Sequence, residues 1–575
     1  MGLCDCRRGG GVRPRLGRAR IPGSSGTGDF DTNFYRKPRR AKLGAGPSQK
    51  LMTADPGKGD LMSDRGNVRD MHYSDRREVL HHIGAAAALA GLSPILPTNV
   101  LAQNKVGDLP RSIGEAGKRF RDRSLGITEL TKSYLKGAKE LAPKLNPFIT
   151  LTEEEALKTA AILESELAQG KVRGPLHGIP IVYKDNIDTA GTLTTVGSEF
   201  FSKRVPQADA HVVSLLQRAG VIMIAKANMN EFAAGVAGRN KHFGDAHNPW
   251  DLNRWPGGSS SGTGVSIAAG LCLGGLGTDT GVSVRGPAGW LGLVGVRPSY
   301  GRVSVRGIFP RAYSFDTAGP LTHTVADAAI LLQHMAEYDP EDKYAVQAPT
   351  SDFTAELNSG VSGLRLGVVE DFTYRNVDSE IASAVQVSVD LLGKMGAVIK
   401  TVKIPLFVGK IDFKYPLTIL LYEFNQIFGD TYRATDNKAL FGPVVHANIA
   451  QAERISKDTY EVAIKERPNE IAEIRKVFNE VDAFLTPTLP FVAPPFTVDA
   501  EADPGVRQFT VPVSFTGFPA LSVPCGFSSS GLPIGLQIVA NDFQEQLLFR
   551  IAGALEREIG LNSRLPSTYW SGRGH

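Results

Sequence analysis

Apolar and polar residues follow two different periods along the body of the chain. Between Thr152 and Gly170 apolar side chains recur with the helical period, Thr152 and Glu155 have the spacing of a capping box, and Gly170 ends the segment. Residues 209–220 repeat the helical pattern and lead into a short apolar run, Val221–Ala225. The pattern predicts two helices, the second followed by a buried strand.

The second half of the chain shows the same alternation. The predicted strands and helices are, in order, Leu364–Val369, Ser379–Lys394, Val398–Val402, Ile534–Val539 and Phe543–Ile559. Strands that alternate with helices predict an α/β fold, in which a sheet is covered by helices on both faces.

The pattern changes between residues 257 and 303, which contain 14 glycines with serine and threonine at two points. Glycine lets backbone segments approach each other closely. A flexible linker would lack the apolar run Val265–Leu273, which we interpret as a buried helix. The composition therefore predicts a built site.

The N-terminal residues differ from this body in charge. The chain has 575 residues and a net charge of +5, but residues 1–50 alone hold 12 Lys and Arg against 3 Asp and Glu, a balance of +9. The remaining residues then sum to −4, which argues against nucleic-acid binding by the body. Residues 1–70 lack an apolar period, and we expect a disordered or mis-annotated extension there.

The segment 71–102 resembles a twin-arginine export signal. Arg76 and Arg77 precede an apolar stretch, Ile83–Leu96, and Val100-Leu101-Ala102 offers small or apolar residues for cleavage. An amphipathic helix of the domain is the alternative, but the apolar stretch has no polar stripe. We expect a mature domain over 103–575 in the periplasm, or in the cytoplasm if this segment is not a signal.

Cysteine and histidine usage indicates neither a disulfide framework nor a metal site. The body contains only Cys272 and Cys525, no cysteine pair has ligand spacing, and the pair His81-His82 lies in the export segment. We therefore expect no metal or organic cofactor. No apolar run reaches the roughly 18 residues of a membrane span, so we expect no stable membrane insertion.

Two common motifs fit the glycine-serine region poorly. Gly257 and Gly262 have phosphate-loop spacing, but the lysine required before Thr263 is missing. Gly258–Gly262 matches the G-x-S-x-G nucleophile elbow, but that motif needs a buried strand before it. Here the polar stretch Asn248–Pro256 precedes it.

Taken together with its surroundings, the region resembles the amidase signature family of Ser-cisSer-Lys amidohydrolases. The similarity runs over most of residues 110–560. The stretches that carry it are Gly178–Asn186, Asn248–Asp251, Gly257–Gly262, Gly277–Arg285, Gly295–Val303, Gly517–Ala520 and Val523–Gly526. The resemblance implies a single large mixed sheet and hydrolysis of a C–N amide bond.

The resemblance also implies residue roles. Ser283 would be the acylated nucleophile, and Ser259, which follows a cis peptide bond in the family, would connect it to the base Lys184. The backbone N–H groups of Thr280, Gly281, Val282 and Ser283 would form the oxyanion hole. Ser260, Asp279 and Arg285 would support this loop from beneath.

Each role has a structural alternative. A lysine acts as a base only when it is neutral, which requires burial, and Lys184 does end an apolar run that is typical of a central strand. Lys184 could instead pair with Asp185, the two serines could be ordinary turn residues, and Asp279 with Arg285 could be an exposed pair.

Position 282 departs from the family, which usually has glycine there. A β-branched residue tolerates a positive φ badly. Either the backbone is unstrained and Val282 narrows the acyl pocket, which we prefer, or the oxyanion hole is compromised.

The sequence thus predicts an amidohydrolase for a small, aryl or peptide amide. The alternatives are a carbamate or ester hydrolase, the glutaminase subunit of a tRNA-dependent amidotransferase, and a non-catalytic binding relative. The expected partner is a small-molecule amide, carbamate or ester and not a nucleic acid, with a homodimer left open.

Overall fold

The computed structural model describes residues 109–408 and 414–572. The predicted N-terminal segments, 1–70 and 71–102, lie outside the described residues.

The helices and strands alternate along the described chain. The helices are α1 Ile113–Arg121, α2 Ile127–Leu145, α3 Glu153–Ala168, α4 His211–Arg218, α5 Ser261–Ala268, α6 Arg285–Leu291, α7 Val325–Met335, α8 Ser379–Lys394, α9 Pro405–Val408, α10 Lys414–Phe424, α11 Asp430–Ala434, α12 Pro443–Ala452, α13 Lys457–Arg475, α14 Val511–Thr516 and α15 Glu545–Ile559. The strands are β1 Phe148–Leu151, β2 Pro180–Lys184, β3 Ile222–Ala227, β4 Gly274–Asp279, β5 Val294–Arg297, β6 Thr317–Thr322, β7 Arg365–Val369, β8 Val398–Val402, β9 Ala483–Pro487, β10 Ala520–Phe527 and β11 Pro533–Ala540.

All these strands form one mixed sheet of 11 strands in the order β1-β3-β2-β4-β6-β5-β10-β11-β9-β7-β8. Strand β2 runs parallel to both β3 and β4, and β7 runs parallel to β8 and β9. The other pairs are antiparallel. The single large mixed sheet is the predicted fold.

Most predicted elements appear within a few residues of their predicted ends. Helix α8 and strand β8 match their predicted ranges, and α5 begins at Ser261, four residues before the apolar run, with all of its residues buried. Helix boundaries are set by capping and tertiary contacts as well as by period.

The predicted capping box at the start of α3 is wrong. Thr152 is the residue before the helix, but its side chain makes no capping bond. Its hydroxyl instead donates to the carbonyl of Met223 at 2.8 Å. Strand β1 pairs with β3, and this brings a competing acceptor to the hydroxyl.

Candidate active site

Lys184 is the last residue of β2, a strand that is buried along its whole length between β3 and β4. Its Nζ atom donates to Ser259 Oγ at 2.7 Å and to Thr278 Oγ1 at 2.8 Å. The side chain is fully buried. Burial lowers the pKa of Lys184 to about 7, and the carboxylates of Asp279 and Asp316 only partly oppose this shift.

The alternative pairing of Lys184 with Asp185 is wrong. The Asp185 carboxylate accepts hydrogen bonds from the Thr195 backbone N–H at 2.8 Å and from the Thr195 hydroxyl at 2.5 Å. Successive side chains of a strand point to opposite faces, so the two neighbours reach different surroundings.

Ser259 lies at the junction between the glycine-rich loop and α5. The peptide bond between Gly258 and Ser259 is cis, as the resemblance implies. The Ser259 carbonyl accepts from the Asn230 backbone N–H at 3.3 Å. A Cβ atom on Gly258 would lie 2.1 Å from the Asn230 side-chain oxygen, so this close approach requires glycine.

Ser283 lies between β4 and α6 and is 4% exposed. Its carbonyl accepts from the Ser260 backbone N–H at 3.3 Å. The Ser260 hydroxyl in turn donates to the Thr278 carbonyl and accepts from the Thr278 N–H, both at 3.3 Å. The loops that carry Ser259 and Ser283 are therefore held against each other.

Only one of the two predicted relay contacts is a hydrogen bond. Lys184 reaches Ser259, whereas the Ser283 hydroxyl makes no hydrogen bond to any residue that the structure describes. Catalytic hydrogen bonds are often long in a free enzyme and shorten when substrate is bound.

The loop between β4 and α6 presents unpaired backbone donors. Within residues 109–408 and 414–572, the N–H groups of Thr280, Gly281, Val282 and Ser283 donate to no protein acceptor. The next two N–H groups, of Val284 and Arg285, point to the Asp279 carboxylate. Consecutive free donors of this kind can bind a negatively charged oxygen.

Val282 does not strain this loop. Among the described residues it is not one of those with a positive φ. Its side chain is 3% exposed and packs in an apolar cluster with Trp255 and Trp290. A Cβ atom on Gly286 would lie 2.7 Å from it. The preferred prediction of an unstrained backbone is confirmed, and the bulk of the side chain is accommodated by packing.

Asp279 and Arg285 form the buried pair rather than the exposed one. Arg285 donates twice to the Asp279 carboxylate at 3.0 Å, and both side chains are fully buried. Burial alone would raise the pKa of Asp279, but Arg285 and Arg297 hold that pKa well below its usual range. Arg285 also donates to Gln537 Oε1 and Ser514 Oγ, which connects the loop to the end of the chain.

Four residues that the sequence did not single out belong to this arrangement. Thr278 holds Lys184, and Asn186 donates to the same threonine hydroxyl at 3.2 Å. Arg297 is the second partner of Asp279, and Asp316 accepts from the Thr280 hydroxyl at 2.6 Å. Only Thr278 has a sequence signal, since it ends the strand predicted to lie near Lys184. The others are remote along the chain.

The described residues contain no group of acidic, histidine or cysteine side chains that could hold a metal ion. Cys272 and Cys525 are both buried and free. In the part of the chain that the structure covers, no helix combines the length and apolar character needed to cross a membrane.

Comparisons with known proteins agree with this geometry. The family model described as Amidase matches residues 129–549. A glutamyl-tRNA(Gln) amidotransferase subunit from Alkaliphilus metalliredigens is 34% identical over 79% of this chain and 98% of its own length.

Two solved structures represent the two kinds of relative. Native peptide amidase from Stenotrophomonas maltophilia is 30% identical, with a TM-score of 0.70 over 80% of this chain and 98% of its own. The corresponding glutamyl-tRNA(Gln) amidotransferase subunit from Thermotoga maritima is 32% identical, with a TM-score of 0.63 over 76% and 95%. The curated relatives favour the amidotransferase alternative over a free-standing amidase.

Proposed function

The chain belongs to the amidase signature family, and we propose that it cleaves a C–N amide bond through an acyl-enzyme on Ser283. The observation that carries this proposal is the 2.7 Å hydrogen bond from the fully buried Lys184 to Ser259. An amine in this position is a base only because burial keeps a large fraction of it neutral near pH 7.

The reaction begins when Ser283 Oγ attacks the amide carbon and a C–O bond forms. The proton of Ser283 passes to Ser259, whose own proton passes to Lys184. The tetrahedral intermediate then collapses, the C–N bond breaks, and the same route returns the proton to the leaving amine. Water attacks the acyl group by the reverse proton transfers and releases the acid.

The negative oxygen of the tetrahedral intermediate is stabilised by the free N–H groups of residues 280–283. The loss of one donor in such a site typically lowers the rate by about 10²–10³. Asp279, Arg285 and Ser260 position this loop without contacting the reacting atoms.

The glutaminase subunit of a tRNA-dependent amidotransferase is the second candidate. It is supported by the name of the curated relatives, of which nearly the whole length is covered. In that role the acyl-enzyme would form on glutamine, and the released ammonia would pass to a partner subunit. Glutamine hydrolysis that rises when a partner subunit co-purifies would favour this candidate.

The test of the common mechanism is a serine-reactive fluorophosphonate probe together with an amide, carbamate and ester panel. We expect the probe to label Ser283 and expect Ser283→Ala to lose both labelling and turnover. Turnover that persists in Ser283→Ala would rule out the acyl-enzyme. Amide binding without any labelling would instead favour the non-catalytic binding relative.

We also propose that the segment 71–102 exports the chain to the periplasm. The proposal is supported by the arginine pair Arg76-Arg77 and the apolar stretch that follows it. A periplasmic location would favour the free-standing amidase, because a tRNA-dependent partner works in the cytoplasm.

A further inference from the structure

Arg311 is a buried arginine without an ionic partner. It is 5% exposed, and its Nη1 atom is buried with no hydrogen-bond partner. Among the described residues no acidic side chain forms a salt bridge with it, whereas the buried Arg285 is paired with Asp279. The contact that the guanidinium does make is with the ring of Phe424, whose centroid lies 4.0 Å away.

The nearby acid cannot neutralise this charge. Asp316 accepts from the Thr280 hydroxyl with one oxygen, and from the backbone N–H groups of Arg311 and Ala312 with the other, at 2.6, 2.7 and 3.0 Å. Burial lowers the pKa of Arg311 to about 9, so the guanidinium stays charged at neutral pH. A buried charge without a counter-charge is strongly unfavourable unless a ligand supplies one.

The segment that carries Arg311 joins the two halves of the candidate active site. At one end the Phe309 backbone N–H donates to the Asn186 carbonyl at 2.8 Å, two residues after Lys184. At the other end Asp316 holds Thr280 of the oxyanion loop. Arg311 therefore lies on the stretch of chain between the base and the oxyanion loop.

Aromatic rings border this position on the side of Ser259. Phe424 belongs to an apolar cluster with Phe232, and the two ring centroids are 6.2 Å apart. Phe309 contacts the same Phe232 ring at 5.5 Å. Phe232 lies two residues from Asn230, which donates to the Ser259 carbonyl.

We propose that Arg311 binds an anionic group of the substrate, and that the substrates are amides which carry a carboxylate. The inference rests on the proposed amide hydrolysis and names its substrate class. A planar guanidinium binds a carboxylate through two parallel hydrogen bonds, and the Phe424 ring holds the plane of the guanidinium in place. Neutral amides would leave the buried charge unpaired.

The test compares acidic amides with neutral amides of similar size. The substrates are succinamate, glutaramate and L-glutamine against butyramide and pentanamide, assayed with the full chain. We expect kcat/KM to be higher for the acidic set, and Arg311→Met to lower it by roughly 10²-fold for that set while neutral amides change little. Arg311→Lys should recover part of the loss, since it keeps the charge but not the paired geometry.

Thermal stability separates substrate binding from a structural role. Arg311→Met removes an unpaired buried charge, so its melting temperature without ligand should not fall. The matched control is Arg467→Met, because Arg467 also lies over an aromatic ring, Phe315 at 4.7 Å, but donates to the carbonyls of Phe515 and Ser314. That control should lower the melting temperature and leave the ratio of acidic to neutral activity unchanged.

A binding measurement keeps this inference separate from the chemistry. In Ser283→Ala, calorimetric titration with glutaramate should show binding that the double variant with Arg311→Met loses. Probe labelling of Ser283 without any preference for acidic amides would overturn the role of Arg311 alone. Absence of labelling and turnover, with glutaramate binding intact, would overturn the proposed hydrolysis alone.

Discussion

At the residue scale the site depends on the protonation of one amine. Two lysines of the described sheet are buried, and burial lowers the pKa of Lys184 to about 7 and that of Lys226 to about 8. Their partners differ. Lys184 donates to the hydroxyls of Ser259 and Thr278, whereas Lys226 donates to the carbonyl of Ile187 and to the hydroxyl of Thr194. Only Lys184 contacts a serine of the proposed relay.

The protonation of Lys184 predicts the pH dependence of the reaction. The neutral amine is the active form, so kcat/KM should rise with pH and level off above about 7. Below that value it should fall about tenfold for each pH unit. The measurement is a profile of kcat/KM against pH for a substrate that does not itself titrate.

Lys226→Met is the control for this profile, because it removes the other buried lysine. It should lower stability without moving the acidic limb, whereas Lys184→Met should abolish most activity at every pH. An acidic limb that moved in Lys226→Met would assign the titration to the wrong lysine.

At the scale of elements, β4, the following loop and α6 form one charged unit. Asp279 ends β4, Arg285 begins α6, and Arg297 ends β5, so that three fully buried charges meet where these elements join. A buried acid shared by two arginines fixes the shape of the loop that presents the free N–H groups. Removal of one partner from such a group leaves charges that no solvent compensates.

Asp279→Asn should therefore lower the free energy of unfolding by about 3–5 kcal/mol. The pKa of Asp279 lies well below its usual range because Arg285 and Arg297 stabilise the carboxylate, so the contribution is fully present at neutral pH and would be lost only in strong acid. Urea unfolding at pH 7 measures the change.

The control is Asp482→Asn, which breaks the partly exposed pair of Asp482 with Arg365. Exposed pairs contribute about 1 kcal/mol or less. Equal losses in the two variants would contradict the special role of the buried pair.

At the scale of the whole molecule the site joins segments that are far apart in the sequence. Arg285 alone connects the loop after β4 with Thr510, Ser514 and Gln537, more than 220 residues further along. The folded sheet is thus a precondition for the site. A twin-arginine route, which carries folded proteins, suits a site of this kind.

Export is tested on the full chain by replacement of Arg76 and Arg77 with lysine. We expect the wild-type protein in the periplasmic fraction with a new N-terminus near Gln103, and the variant in the cytoplasm. The same replacement at Arg7 and Arg8, an arginine pair in the N-terminal extension, should leave export unchanged. An uncleaved wild-type protein in the cytoplasm would refute the signal and strengthen the amidotransferase alternative.

The sequence by itself determined the α/β class, most of the elements, and the segments that contain Lys184, Ser259 and Ser283. Local periods report which face of an element is buried, and short glycine-serine segments keep their spacing whatever surrounds them. These signals are contained in neighbouring residues.

Only the tertiary structure decided which partners these residues have. It turned Lys184 to Thr278 and away from Asp185, took the Thr152 hydroxyl from its helix, and left Arg311 without a counter-charge. Such contacts depend on strand order and on the packing of distant segments. A sequence pattern, which reports only local burial, cannot specify them.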